Sequence, residues 1–282
     1  KCLSFADPYV EYDTFNLMLD LILLRRGVFR HLVFNRGSKP KRVTAVGPTS
    51  EDVNLAKDAE EMEMRRRRNI LKIGLLSIFA DTFTRWIYHY PLMKREDRSE
   101  IRSWNLDDKA GRLLFVTFLG CFLETVSFHI GVVVSSMAIT NLLNSLAKKP
   151  LSPVQQGVRA SHISLTLLYS SFTKLFMLVA LSIWHPENIS SQPPRSYDHP
   201  ILSQIVPWLD VDKLDRRWVA RNVLGGTTSS FGLRVALESN PFLVIFFIIA
   251  GWAIKTWVSS VASIYIGSQA SHTDGYLLYA LP

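Results

Sequence analysis

The stretch that decides the fold is residues 1–35, KCLSFADPYVEYDTFNLMLDLILLRRGVFRHLVFN. Asp13 is a favourable helix N-cap, residues 17–24 are almost entirely apolar, and two arginines followed by Gly27 suit a helix C-terminus. This pattern predicts one helix of about three turns. Because the helix is apolar around most of its circumference, it must lie against protein or on a membrane surface.

Arg30 and His31 lie in a second short apolar run, residues 28–34. They can meet a lipid phosphate or carboxylate, or they can cap the preceding helix and neutralise Asp13 or Glu11. We favour the structural role.

Composition favours a membrane protein. The chain has 282 residues, 48% of them hydrophobic, and a formal net charge of +8. Such an excess of positive charge can serve nucleic-acid binding, but here it flanks long apolar runs, as in cytosolic loops that face anionic headgroups. We therefore expect membrane lipids as partners and no nucleic acid.

Four apolar runs approach the roughly 20 residues that are needed to cross a bilayer: residues 70–90, 113–143, 162–184 and 242–266. Four arginines at 65–68 mark a cytosolic end before the first run. The loops after the first and second runs are also basic, so charge does not alternate across the membrane. We predict that the first run, which contains charged residues, is re-entrant or interfacial.

The predicted architecture is an all-α, polytopic membrane helix bundle of three to four spans, preceded by a short cytosolic helical module. Between residues 185 and 240, apolar and basic residues at helical spacing predict an interfacial helix, with Arg221 beside its apolar face. Packing of this helix on the bundle itself is the alternative, and Gly225 and Gly226 predict a turn. The chain then divides into residues 1–35, a linker and basic helix at 36–68, three spans within 69–184, a loop with the interfacial helix at 185–240, a fourth span at 241–267 and a tail at 268–282.

Ionisable residues inside apolar runs are the first candidates for a functional site, because each costs roughly 3 kcal/mol to insert unless it is paired or hydrated. Asp81 and Arg85 are four residues apart and can pair on one helix face. Glu124 and Lys174 lie at similar depth in neighbouring runs, which predicts an ion pair between helices.

His129 and Lys255 complete this set. His129 follows Glu124 by five residues and shares its helix face poorly, and Lys255 has no evident partner in the sequence. The whole set indicates either a polar groove for a lipid headgroup or sterol hydroxyl, or structural pairing within the bundle, with snorkelling for Lys255.

Residues 1–35 resemble the signature segment of the Arv family, whose members are multi-spanning endoplasmic-reticulum proteins implicated in distributing sterols and other lipids. Beyond this segment the similarity is one of hydropathy layout. The resemblance is carried by Cys2, Asp7, Tyr9, Glu11, Tyr12, Asp13, Asp20, Leu21, Leu23, Leu24, Arg30, His31, Leu32 and Asn35.

The resemblance implies a zinc-binding module of two Cys-x-x-Cys pairs, with Cys2 as the last of the four ligands. The other three cysteines are expected upstream of Lys1, and a chain that begins with Lys rather than Met suits a fragment. A structural zinc site needs four ligands. We therefore expect zinc in a full-length protein and none in this chain.

The resemblance further implies a non-enzymatic role in sterol uptake, trafficking and distribution, with effects on sphingolipid metabolism and glycosylphosphatidylinositol-anchor synthesis. The expected location is the endoplasmic reticulum, with the Golgi as a second location. The expected partners are sterols, sphingolipids or glycosylphosphatidylinositol intermediates, and the machinery that makes such anchors or esterifies sterols. The alternative is an accessory scaffold of a lipid-modifying enzyme complex. The absence of paired histidines disfavours a membrane di-iron desaturase or hydroxylase. A membrane acyltransferase is also disfavoured, because the sequence shows no catalytic constellation such as a G-x-S-x-G elbow.

Overall fold

The computed structural model describes residues 7–36, 51–96, 108–147, 157–183 and 219–267. All regular structure within these ranges is helical. Three helices are long and apolar enough to cross a membrane: Leu114–Leu142, Ala160–Leu181 and Pro241–Ala262. The predicted all-α bundle of three to four spans is confirmed. Cys2, most of the predicted interfacial helix and the tail at 268–282 lie outside the described residues.

The N-terminal segment forms two short helices where the sequence predicts one. Helix α1, Thr14–Ile22, begins after Asp13 as predicted. It ends early because Leu24, and not Gly27, takes the left-handed conformation, with φ of 56°. Helix α2, Arg26–Arg30, begins directly afterwards.

Gly27 lies inside α2, where it permits a close contact. A 3₁₀ turn, Pro8–Glu11, brings the ring of Tyr9 against this helix. A Cβ atom on Gly27 would lie 2.6 Å from Cε2 of Tyr9. Glycine is therefore required by the approach of an aromatic side chain rather than by a helix end. A π-helical turn, His31–Asn35, continues α2.

Five longer helices follow: α3, Glu51–Glu96; α4, Asp108–Ala147; α5, Ala160–Ile183; α6, Gly225–Leu237; and α7, Pro241–Gly267. The run at 70–90 is the middle of α3, a continuous helix of 46 residues. Because the backbone does not reverse within this run, the re-entrant alternative is wrong, and the interfacial alternative stays a prediction. The run is also not among the three apolar spans.

Helix α6 corrects the predicted turn at Gly225 and Gly226. A π-helical turn, Ala220–Leu224, leads into α6 without a break, so both glycines have helical backbone. Ser229 is buried and its hydroxyl lies 3.1 Å from that of Ser170 in α5. Ala220, in the described end of the predicted interfacial helix, is also buried. This end of the helix therefore packs on the protein's own bundle.

The N-terminal helices pack on the membrane-spanning part of the protein. Leu17, Leu21 and Phe29 share one buried cluster with Tyr169 of α5 and Val235 of α6. The opposite face of α1 is exposed, with Phe15 at 70% and Leu23 at 65% of their full accessibility. Helix α1 thus has one face against protein and one apolar face outside it.

Helices α4 and α7 meet at two glycines. A Cβ atom on Gly131 would lie 2.8 Å from Cα of Gly251, and one on Gly251 would lie 2.5 Å from Cγ2 of Val132. Small residues of this kind let two backbones approach closely in a membrane. This contact fixes the separation of two spans beside the site described next.

Candidate functional site

The predicted pair of Asp81 and Arg85 is present in α3. Nη2 of Arg85 lies 3.3 Å from Oδ2 of Asp81, and both side chains are buried. Their spacing of four residues puts them on one helix face, as the sequence predicts. This face points into the bundle, towards α4.

Arg85 also binds Glu124 of α4 through two hydrogen bonds. Its Nη2 donates to Oε2 over 2.7 Å and its Nη1 donates to Oε1 over 3.2 Å. A two-point contact of this geometry is the strongest kind of ion pair that arginine makes. Arg85 therefore joins two buried carboxylates, Asp81 and Glu124, that belong to different helices.

The predicted pair of Glu124 and Lys174 is wrong. Besides Arg85, Glu124 pairs with Lys255 of α7, whose Nζ lies 3.5 Å from Oε2. Lys255 was without an evident partner in the sequence, yet it also donates to Oδ1 of Asn222 over 3.3 Å. Similar depth in neighbouring spans did not determine the partner, because the rotation of each helix about its axis decides which side chains face each other.

Arg221 is the site residue that sequence reasoning missed. Its Nε lies 3.3 Å from Oδ1 of Asp81. Arg221 and Asn222 both lie in the π-helical turn Ala220–Leu224, and such turns often occur at functional sites. The sequence reads here as alternating apolar and basic residues, and only the two glycines that follow signal a close approach.

Lys174 and His129 lie at the edge of this ion cluster. Lys174 acts electrostatically on both Asp81 and His129. Its aliphatic part packs on the start of α6, where a Cβ atom on Gly225 would lie 3.1 Å from Cδ of Lys174. Gly225 therefore leaves room for the lysine chain to reach the cluster.

The ion cluster lines a cavity of about 440 Å³, within the range of roughly 300–1,000 Å³ that is usual for small-molecule sites. Side chains from α3, α4, α5, α6 with its preceding turn, and α7 contribute to the walls. Phe128, Leu167 and Ile248 are among the apolar wall residues. Ile249 and Trp252 also line the cavity while being 56% and 43% exposed. They form its rim at the outer surface of α7.

The cluster lies within the apolar part of the bundle. At 1.5 Å per residue, Glu124 is about 15 Å from the nearer end of its span. Lys174 and Lys255 are each about 10 Å from the nearer ends of theirs. The cavity therefore presents ions, at membrane depth, beside an opening on the surface of the span Pro241–Ala262.

The signature segment has a separate polar centre at Asp7. Nδ1 of His31 lies 2.8 Å from Oδ2 of Asp7, Nδ2 of Asn35 donates to the same oxygen over 2.7 Å, and the backbone N–H of Tyr9 donates to Oδ1 over 3.0 Å. Burial raises the pKa of Asp7, but the bonds from Asn35, His31 and Tyr9 outweigh it and hold the pKa below its usual range. The centre links the start of the segment to its end.

Arg30 and His31 are thus structural, with partners other than those predicted. His31 pairs with Asp7, and Arg30 pairs with Glu238 in the turn between α6 and α7. Glu11 and Asp13 are exposed instead. The predicted neutralisation of these two carboxylates is wrong because α2 turns away from them after Leu24.

Two further signature residues, Tyr12 and Asp20, also make local contacts. The rings of Tyr9 and Tyr12 lie with their centroids 5.1 Å apart. Asp20 is buried in α1 and pairs with Nε of Arg25 at 3.2 Å. The polar contacts of Asp7, Asp20 and His31 stabilise the N-terminal segment, and none of the described signature residues lines the cavity.

A third ionic group surrounds Glu63 near the N-terminal end of α5. The hydroxyl of Ser161 donates to Oε2 over 2.9 Å, and Arg66, Arg67 and Arg159 lie within 3.8 Å of its carboxylate. Burial raises the pKa of Glu63, but Ser161 and these arginines together hold it below its usual value. Part of the arginine run at 65–68 therefore anchors α3 to α5.

The zinc site that the resemblance implies depends on Cys2 and on cysteines expected upstream of Lys1, which lie outside the described residues, so it stays a prediction. Among the described residues, no group of three or more His, Cys, Asp or Glu side chains comes together. The described cysteine, Cys121, is buried within α4.

Three apolar spans in a helical bundle define a multi-pass membrane protein, here with an ion-lined cavity between its helices. The chain belongs to the Arv1-like family, whose model matches residues 1–194. This match confirms the resemblance seen in residues 1–35, and at family level it indicates a role in sterol and lipid homeostasis. It includes Asp81, Arg85, Glu124, His129 and Lys174, whereas Arg221 and Lys255 lie beyond it.

Curated relatives extend the similarity over most of the chain. Protein ARV1 of Saccharomyces cerevisiae is 25% identical over 242 residues, which cover 78% of this chain and 69% of the relative. The Protein arv1 homolog of Dictyostelium discoideum is 22% identical over 275 residues, covering 96% and 86%. With Protein ARV1 of Candida albicans, 46% identity is confined to 35 residues. No solved structure gives a significant match.

Proposed function

We propose that this protein is a non-enzymatic mediator of sterol and lipid homeostasis in the endoplasmic reticulum membrane. It acts in sterol uptake, trafficking and distribution among membranes, with effects on sphingolipid metabolism and glycosylphosphatidylinositol-anchor synthesis. The observation that carries the proposal is the ion-lined cavity at membrane depth, whose rim includes Ile249 and Trp252 on the outer surface of α7.

Such a cavity lowers the barrier that a lipid headgroup meets in hydrocarbon. A polar group that leaves water without new hydrogen bonds loses several kcal/mol, roughly 2–7 for a neutral group. Arg221, Asn222 and Lys255 offer bonding groups in its place. Because part of the rim is exposed on the outside of α7, the lipid's chains can stay in the bilayer while its headgroup enters.

The polar contacts of the cavity favour lipid binding over catalysis. Both carboxylates are held by cations, Asp81 by Arg85 and Arg221, and Glu124 by Arg85 and Lys255. A general base needs a carboxylate or imidazole that can approach the proton it removes. Asp81 and Glu124 are instead committed to holding helices and cations in place.

The test is reconstitution of the purified chain as the sole protein in vesicles that carry a headgroup-labelled phospholipid or a labelled sterol. The readout is the fraction of label reached by a membrane-impermeant quencher over time. We expect the protein to expose the inner-leaflet label faster than empty vesicles do. An unchanged rate would contradict direct lipid handling, and co-purification with enzymes of sterol esterification or anchor synthesis would then support the scaffold alternative.

A further inference from the structure

We propose, resting on the lipid-handling function proposed above, that the cavity selects lipids whose headgroup carries an anionic phosphate. The ionic groups that line the cavity are not balanced. Two carboxylates, Asp81 and Glu124, face four cationic side chains: Arg85, Arg221, Lys174 and Lys255. Among the described lining residues, positive charge therefore exceeds negative charge by two.

An uncompensated positive charge is expensive at this depth. Taking a charged group out of water costs several kcal/mol unless an opposite charge offsets it. Arg221 and Lys255 pair with the same two carboxylates that Arg85 contacts, so two negative charges serve all the cations of the cluster. An anion inside the cavity restores the balance, whereas a neutral sterol hydroxyl or a zwitterionic headgroup does not.

The cations also offer the donors that a phosphate needs. Arg221 contacts Asp81 through Nε, and a guanidinium has further N–H donors in a planar fork that matches phosphate oxygens. Lys174 reaches the cavity past Gly225 with a flexible chain that ends in an ammonium group. Donors from α5 and from the π-helical turn therefore approach one volume from different sides.

The apolar walls indicate a lipid rather than free phosphate. Phe128, Ile245, Ile248 and Trp252 line the same cavity as the cations. Two of them, Ile245 and Trp252, are exposed on the outer surface of α7. Acyl chains can contact this surface while the phosphate lies among the cations, and inorganic phosphate would gain nothing from it.

The test is binding of short-chain phosphatidic acid, phosphatidylcholine and inorganic phosphate to the purified full chain in neutral detergent. We expect phosphatidic acid to bind at least about tenfold more tightly than phosphatidylcholine, since a charge-assisted bond is worth about a factor of ten or more. Lys174→Gln should remove most of this preference, and Lys174→Arg should keep it. Lys72→Gln is the matched control, because Lys72 is exposed on α3 outside the cavity.

Three results would overturn the proposal: equal binding of the two lipids, equal effects of Lys174→Gln and Lys72→Gln, or displacement of phosphatidic acid by inorganic phosphate at similar concentration. The vesicle assay separates this proposal from the function it rests on. Lipid movement without preference for anionic headgroups would contradict only the proposed headgroup selectivity. Selective binding of phosphatidic acid that depends on Lys174, without lipid movement, would contradict only the proposed transport function.

Discussion

The signature segment and the cavity both contain charged groups that are partly or fully buried, but the two arrangements differ. In the signature segment, Asp7 is hydrogen-bonded to His31 and Asn35, which belong to the same stretch of chain. In the cavity, Arg85, Glu124 and Lys255 come from three different helices and remain unbalanced in charge. The first arrangement closes a local structure, with Asp7 bonded to Tyr9, His31 and Asn35. The second holds helices around an open volume, and this difference is why the cavity is the functional candidate.

The largest effect should come from removing the cation that both carboxylates share. Arg85→Met leaves Asp81 and Glu124 buried with less compensation, and breaking a buried ion pair costs about 3–5 kcal/mol. We expect a large drop in the free energy of unfolding, measured by thermal or denaturant unfolding in detergent. Arg234→Met is the control, because Arg234 is exposed on α6. Equal stability of the two variants would mean that the cluster does not hold the bundle together.

The signature segment and the membrane spans each contain a glycine at a close contact, Gly27 and Gly131. Gly131→Ala places a Cβ atom 2.8 Å from the backbone of Gly251, so α4 and α7 must move apart. We expect a loss of about 1–3 kcal/mol. Gly27→Ala meets the far end of the Tyr9 side chain, which can turn aside, and should cost less. Unfolding midpoints that fall in the reverse order would contradict the tight contact of the two spans.

The centre of the signature segment should show its own pH dependence. The folded-state pKa of Asp7 lies below its unfolded-state value. Its contribution is therefore present above the unfolded-state pKa and is lost as pH falls through the folded-state pKa. Asp7→Asn should lower the free energy of unfolding by about 1–2 kcal/mol at neutral pH. This deficit should shrink in acid, and a deficit that is constant with pH would contradict a lowered pKa of Asp7 in the folded state.

The parts that the sequence could predict are those set by local spacing. The spans follow from apolar length, and the pairing of Asp81 with Arg85 follows from the helical repeat. The partner of Glu124 could not be predicted, because it depends on how α4 and α7 rotate against each other. The role of Arg221 was hidden because a π-helical turn shifts the side chains out of the regular helical repeat.

The smallest effect on stability is expected at Lys174. Lys174→Gln removes an excess positive charge whose burial is itself costly, so the free energy of unfolding should stay the same or rise, and should not fall by more than about 1 kcal/mol. Lys255→Gln breaks contacts with Glu124 and Asn222 and should lower it by about 1–2 kcal/mol. Unfolding of both variants under the same conditions checks this order. A larger loss at Lys174 would show that its charge is structural and not available to a ligand.

The most direct measurement is the rate of lipid movement in a variant whose cavity is filled by a larger side chain. Gly226 lines the cavity, and a Cβ atom there meets its nearest neighbour, Ile248, at 3.7 Å, so Gly226→Leu adds bulk without a backbone clash. Gly111→Leu is the matched control, because a Cβ atom at Gly111 has nothing within 4 Å. In vesicles that contain only this protein, we predict that Gly226→Leu abolishes the accelerated movement of headgroup-labelled lipid, while Gly111→Leu retains it. Equal, undiminished rates for both folded variants would contradict a path through the cavity.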